Sequence, residues 1–486
     1  MTLGELLGRD AELPAGLDRV PISGLAADSR EVKPGYLFAA LPGVNTDGAR
    51  FIPDALARGA AAILVTRGAK PASSPAAIIE DSDPRRRLAL IAARFFGLQP
   101  KTNVAVTGTN GKTSVASYVR QLWSGEGFKA ASLGTLGLVS PSGTKTLKHT
   151  TPDPIELHRI LAEAANEGVT HLALEASSHG LQQRRVDGVA LAAAAFTNIS
   201  RDHLDYHVSF EDYFAQKLRL FTELLPQGAA AVVDVDSEAG KHVAAAAQAR
   251  GLDVVTAGRE GKTLRLISAE RDGFGQRLVI EHDGKRYGVR VPLVGNFQAS
   301  NALVAAGLVM ATGTDAGTAL PMLESLKVAR GRLELAGMAR GVAPIFIDYA
   351  HTPDALTKAL DALRPYVENR LIVVFGCGGD RDKGKRPEMG KVAAARADLA
   401  IVTDDNPRSE NPAEIREQIL AAAPGALEID DRARAIAEAV GGLKTGDVLL
   451  VAGKGHETGQ TVGAAVIPFS DHDAVTAALK QEAKCG

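Results

Sequence analysis

Cysteine is nearly absent from this 486-residue chain: only Cys377 and Cys485 occur, far apart in sequence. They can build neither a disulfide framework nor a zinc spacing, so a cytoplasmic setting is expected. Long apolar runs are also missing. None reaches the ~18 residues of a membrane span, and residues 1–10 lack the basic-then-apolar order of a signal peptide. Positive charge is not in excess. The 55 Lys and Arg face 57 Asp and Glu, a net charge of −2, so no broad basic surface advertises nucleic acid or anionic lipid. Any anionic ligand must be held by local clusters.

The composition that remains, 45% hydrophobic and 23% charged, is that of a soluble globular protein. At ~150 residues per domain the length suggests three units. The 50 glycines fit tight strand-to-helix turns.

One stretch organises the rest. The apolar run Val104-Ala105-Val106 ends in Thr107-Gly108-Thr109-Asn110-Gly111-Lys112-Thr113-Ser114, the strand–loop–helix grammar of a nucleotide triphosphate site. Gly108 and Gly111 let the backbone curl so that its N–H groups face an anion. The helix that follows adds its positive end. Lys112 supplies a point charge for phosphates and Thr113 a hydroxyl for Mg2+. Where the strict pattern has its first glycine this chain has Val106, so the loop is a variant.

The first unit spans residues 1–97. It reads as strands at 22–30 and 36–41, a helix at 52–59 and a strand at 61–65. The second, 98–330, holds helices at 115–125, 154–167, 210–225 and 296–310 and strands at 170–175 and 192–197. Short strands between 264 and 293 predict an antiparallel flank on a mostly parallel sheet of the P-loop NTPase kind. The third, 331–486, alternates strands at 345–347, 371–375, 399–402 and 448–451 with helices at 353–366, 388–395, 413–422 and 432–440, the pattern of a Rossmann-like parallel sheet. The expected class is α/β with three domains. Ligands in such sheets gather at the carboxyl ends of strands, and polar clusters fall there at 348–351, 376–386, 404–408 and 453–457.

Glu175 closes an apolar strand and is a candidate Mg2+ carboxylate. In the cluster Asp202-His203-Leu204-Asp205-Tyr206-His207, His203 is a candidate metal ligand. Arg381 and Arg386, in a charge run after the strand at 371–375, are candidate anion clamps.

Together these motifs resemble the Mur ligases of bacterial cell-wall synthesis, and within them the branch that adds the third peptide residue. The resemblance covers nearly the whole chain through residues 107–114, 175–180, 198–207, 295–301, 331–332, 348–354, 376–386, 405–408 and 453–457. It implies ATP and Mg2+, with Gly108, Thr109, Asn110, Gly111, Lys112, Thr113 and Ser114 on the phosphates. Asn296 and Asn301 would lie on the adenine side, and Arg332 would face the phosphates. Thr113, Glu175, His203 and Lys217 would serve the metal, Lys217 as a carbamate, and His351 joins them as a catalytic candidate.

The substrates implied are UDP-N-acetylmuramoyl-L-alanyl-D-glutamate and meso-2,6-diaminopimelate. Ala27, Ser29, Val44, Asn45 and Thr46 would touch the uridine nucleotide. His149, Thr150, Thr151, Ser178, Gln183 and Arg185 would hold the muramoyl dipeptide. Arg381, Asp405, Asn406, Pro407, Arg408, Gly453 and Glu457 would form the amino-acid pocket. A monomer is expected. Two rivals are a folylpolyglutamate-synthetase-like ligase and a non-catalytic ATP-binding module. The first would lack the Asp28-Ser29-Arg30 turn and the Asp-Asn-Pro-Arg loop. The second would have no use for paired metal-ligand candidates.

Overall fold

The computed structural model describes residues 1–8, 16–43, 46–71, 73–203 and 205–485. Three large sheets follow one another along the chain, and a two-stranded hairpin, Gly459–Val462 with Ala465–Pro468, forms a fourth. The first has four parallel strands, Gly24–Ala26, Tyr36–Ala39, Ala62–Thr66 and Ala77–Asp81, paired in sequence order. Its strands bury both faces, and period-two alternation divides them. Leu37 and Leu64 pack with Leu3, Leu88 and Ile91 on one side. Phe38, Ile63 and Val65 pack with Ile52 on the other.

The second sheet has eleven strands. At its centre Thr102–Thr107 lies between Leu191–Phe196 and His171–Glu175, parallel to both. Val104 and Val106 face the helices Lys112–Gly125 and Asn296–Ala311. Ala105 faces the core that includes helix Pro154–Asn166. The expected antiparallel flank is present, formed by Leu264–Arg271, Gln276–His282 and Lys285–Val291. A second antiparallel flank, Ala130–Gly134, Gly137–Ser140 and Gly143–Lys145, closes the opposite edge and was not expected. Its last strand is exposed and carries no apolar alternation to read.

The third sheet has six strands. Ala343–Asp348, Val448–Ala452, Leu371–Phe375 and Leu399–Val402 form its parallel centre, and Arg332–Ala339 adds an antiparallel edge. Two helices start three residues earlier than expected. The helix expected from 115 begins at Lys112, and the helix expected from 388 begins at Lys385. In both cases polar residues fill the first turn, where apolar periodicity is silent. The helix expected across 210–225 is α-helical over Phe210–Arg219 and then opens into a π-turn over Leu220–Leu224, which buries Leu220 and Phe221.

Candidate active site

Strand Thr102–Thr107 delivers its chain into the phosphate-loop candidate. Gly108 has φ 147° and Gly111 φ 90°. A Cβ on Gly108 would come 2.0 Å from Thr197 Oγ1, and one on Gly111 2.4 Å from Asn301 Oδ1. Both glycines are therefore demanded by backbone angle and by space. No side chain caps the helix that starts at Lys112, so its first N–H groups are available to an anion. Lys112 Nζ donates to the carbonyls of Gly108 (2.9 Å) and Thr109 (2.8 Å). Burial lowers its pKa. Asn110 is held by Asn198 Oδ1 on its N–H, and its side-chain amide donates to Asp354 Oδ2 across the junction with the third sheet (3.0 Å).

A cavity of about 480 Å³ opens over this loop. Its walls include Thr109, Ser114, Glu175, His203 and Lys217 from the second sheet and Arg332, Tyr349 and His351 from the third. Glu175 is 2% exposed. It accepts from Thr113 Oγ1 (3.1 Å), from the Thr135 N–H (2.8 Å) and from Thr135 Oγ1 (3.1 Å). Arg332 Nη2 donates to Thr113 Oγ1 (2.9 Å) and its guanidinium lies over the Tyr349 ring at 4.5 Å. Thr135 escaped the sequence reading because it is brought to Glu175 by the sideways pairing of strands Ala130–Gly134 and His171–Glu175.

His203 sits at φ 53°, with Nε2 3.3 Å from Asp202 Oδ2. Burial pulls its pKa down to about 4, so the neutral imidazole keeps a lone pair for a metal. Lys217 is 1% exposed. Its Nζ donates to Gly108 O at 2.8 Å and lies 4.4 Å from the centre of the Tyr213 ring. Burial first, and the nearby Lys112 second, drive its pKa well below the usual lysine range. Among the described residues no three His, Cys, Asp or Glu side chains converge as a closed metal cage. Mg2+ does not need one, since it takes few protein oxygens and completes its octahedron with water and phosphate. The Thr113 hydroxyl and the Glu175 carboxylate suit it. His351 Nδ1 donates to Tyr349 O (2.8 Å), and burial lowers the pKa of the ring.

Asn301 lines the cavity, whereas Asn296 is exposed at the helix start and does not; Phe297 and Ser300 line it instead. Thr150 and Ser178 line the cavity as well. The Thr151 hydroxyl is used inside the fold, donating to Glu175 O (2.8 Å). Arg185 joins Thr151 O to Gln183 Oε1, and Gln183 reaches Tyr206 OH. His149 is exposed. In the first lobe Ser29 is buried, while Ala27 and Thr46 are exposed; Val44 and Asn45 lie outside the described residues.

At the carboxyl edge of the third sheet, Asn406 Nδ2 donates to Glu457 Oε2 (2.9 Å) and the Asn406 oxygen accepts from the Thr461 N–H. Asp405 and Pro407 are buried on either side of it. Gly453 packs against Asp405: a Cβ there would meet Asp405 Oδ2 at 2.6 Å. Lys454, fully buried, ties the wall together by donating to Glu457, Asn406 and Gly459 O. Arg408, at φ 50°, donates through Nη1 to Gly379 O at 2.8 Å. Arg381 is exposed. Arg386 is not a clamp as expected: it is fully buried and forked onto Glu410 at 3.0 and 2.9 Å, bracing the loop from within.

Three family profiles match in series: the Mur ligase family catalytic domain over residues 21–96, the Mur ligase middle domain over 106–309, and the Mur ligase glutamate ligase domain over 331–455. A protein of Bradyrhizobium diazoefficiens is 56% identical over 99% of both chains. The chain belongs to the Mur ligase family. That Bradyrhizobium Mur ligase is named UDP-N-acetylmuramoyl-L-alanyl-D-glutamate--2,6-diaminopimelate ligase. So is one of Rhizobium meliloti, 55% identical over 96% of both chains. A solved structure with the same name superposes with a TM-score of 0.72 at 32% identity, covering 99% of each chain. Mycobacterium tuberculosis folylpolyglutamate synthase, at 18% identity and TM-score 0.63 over 82% of this chain and 94% of its own, shares the fold.

Proposed function

We propose that this Mur ligase joins meso-diaminopimelate to UDP-N-acetylmuramoyl-L-alanyl-D-glutamate at the expense of ATP, in peptidoglycan precursor synthesis. The observation that carries this is the single cavity in which the phosphate loop, Glu175, His203 and Lys217 of the second sheet meet Arg332 and His351 of the third. Near-full-length identity to relatives of that name supports the choice of substrates. Residues 1–97 would hold the uridine nucleotide, 98–330 ATP, and 331–486 the amino acid. The setting is the cytoplasm, and one chain supplies every residue named.

A carboxylate is a poor electrophile, so it must be activated first. The D-glutamyl side-chain carboxylate takes the terminal phosphoryl group of ATP, giving an acyl phosphate and ADP. The amine of the diamino acid then attacks that carbonyl and phosphate leaves. Lys112 leaves the loop carbonyls and, with Arg332, neutralises phosphoryl charge. Mg2+, held by Thr113, Glu175 and His203, would screen the anionic nucleophile from the anionic phosphate. Lys217, a buried amine of lowered pKa, is suited to take up CO2 as a carbamate. The addition releases one proton and turns a neutral amine into an anion that attracts a metal. Glu457 and Arg408 would receive the amine and the far carboxylate of the diamino acid.

The test is phosphate release from ATP with the UDP-muramoyl dipeptide and meso-diaminopimelate, each omitted in turn. Release that needs both supports the reading. Release with neither, or with a folate and glutamate instead, refutes it.

A further inference from the structure

The hydroxyl of Ser178 has a buried partner that the chemistry above does not use. Ser178 lines the cavity and is 1% exposed. Its Oγ is 2.9 Å from His207 Nε2, and His207 Nδ1 is 3.2 Å from Asp212 Oδ2. The His207 side chain is fully enclosed, with the rings of His179, Tyr206 and Tyr213 around it at 5.5, 5.0 and 5.2 Å.

Hydrogen-bond arithmetic fixes the protons in this row. Asp212 is ionised: a hydrogen bond from Gln216 is the main cause that lowers its pKa. A carboxylate only accepts, so His207 Nδ1 carries the proton. An ordinary imidazole is neutral above pH ~6.5, and with its one proton spent on Asp212 the ring is left with a lone pair on Nε2. The only proton able to occupy the 2.9 Å contact is that of Ser178.

We propose that Asp212 and His207 are positioning residues that lock the direction of the Ser178 hydroxyl. Its proton is committed to His207, and only oxygen lone pairs face the cavity. Ser178 is thereby an obligate acceptor for a peptide-like N–H, and the muramoyl dipeptide offers such groups along its backbone. A freely rotating serine could equally well donate, and would bind a carbonyl there. The lock therefore selects the register in which the dipeptide lies and sets where its D-glutamyl carboxylate points. This inference rests on the substrate reading given above.

Two measurements test it. Nitrogen NMR on enzyme with isotope-labelled histidine, free of substrate, should show His207 as the neutral tautomer protonated at Nδ1. Protonation at Nε2 overturns the proposal whatever the substrate is. Steady-state kinetics form a cycle of His207→Asn, Ser178→Ala and the double variant. His207→Asn should raise KM for the UDP-muramoyl dipeptide about tenfold, the worth of one oriented hydrogen bond, with KM for ATP within about twofold. In the Ser178→Ala background it should add nothing. A full additional loss in the double variant, or an equal rise for all three substrates, overturns the lock. If His207→Asn does not fold, His207→Gln is read in the same cycle, and the tautomer measurement stands on the wild-type enzyme. Failure of wild-type turnover with the dipeptide would refute the substrate reading and leave the tautomer result intact.

Discussion

Lys217 is expected to be carbamylated in active enzyme, and the geometry gives a magnitude. Lys112 and Lys217 donate to the same oxygen, Gly108 O, at 2.9 and 2.8 Å. Their nitrogens therefore cannot be more than about 6 Å apart. Two ammonium charges at that spacing repel by roughly 3 kcal/mol at an effective dielectric of ~20, which favours the neutral amine. Desolvation of a side chain 1% exposed acts in the same direction and is the larger cause. A neutral amine is the form that adds to CO2, and the carbamate reverses the sign of the interaction with Lys112. Turnover should thus fall when bicarbonate is stripped from the buffer and return when it is restored. Lys217→Ala should lose about three orders of magnitude in kcat, the range seen when a main charge-stabilising group is removed. Acetate or formate should restore part of it by placing a carboxylate in the space left. Carbon NMR of enzyme equilibrated with labelled bicarbonate should show one carbamate signal absent from Lys217→Ala. A fully active enzyme with no such signal, or a Lys217→Ala enzyme near wild-type rate, refutes the reasoning.

Arg408→Ala should lower kcat/KM for meso-diaminopimelate while leaving KM for ATP unchanged. Because Arg408 is only half-buried, the low end of the usual cost applies, ~2 kcal/mol or about thirtyfold; equal kcat/KM for diaminopimelate and L-lysine in the wild type would refute the role. Stability should fall as pH drops through the window set by His158, whose pKa burial lowers to about 4 from the ordinary 6.5. Within that window the unfolded chain binds a proton that the folded chain refuses, so the loss grows from pH ~6.5 down to ~4 and reaches roughly 3 kcal/mol. Urea unfolding across that range should show a flatter pH dependence for His158→Gln, and an unchanged slope would refute it.

What could be read from sequence and what could not divide along one line. The phosphate loop was legible because its demands are local: Gly108 and Gly111 stand where positive φ is needed, and Lys112 follows directly. Glu175 was legible because an apolar run stops at a carboxylate. Thr135 was not, since its approach to Glu175 is made by a strand pairing forty residues apart in sequence. Arg386 was misread for the same reason. Its partner Glu410 lies 24 residues away, so a charge run on the page became a buried brace in the fold. Four of the non-glycine residues at positive φ, His203, Leu333, Asp380 and Arg408, sit in or beside the site. Strain of ~1–3 kcal/mol at each is a cost that local propensity would have argued against.

The junction of the second and third sheets explains why one lobe can serve both half-reactions. Arg332 reaches Thr113, and Asp354 holds Asn110, so the third lobe would complete the proposed phosphate site. Within that lobe, strand Ala343–Asp348 pairs with Val448–Ala452 so that Asp348 stands opposite Ala452. The first strand runs on into Tyr349 and His351, which face the phosphate loop across the cavity. The second runs on into Gly453, Lys454 and Glu457, which would wall the proposed amino-acid pocket; Lys454 donates to Glu457 there. Neighbouring strands lie about 4.8 Å apart. In the proposed reaction the same sheet that supplies Arg332 would therefore carry the amine-binding residues, one strand away from Tyr349 and His351. Any movement of this lobe that opens the amino-acid pocket away from the second sheet also withdraws the guanidinium from Thr113. In the proposed reaction that linkage would disfavour activation of the carboxylate without an acceptor amine in place, because the charge needed for phosphoryl transfer and the nucleophile needed to use its product would ride on one body.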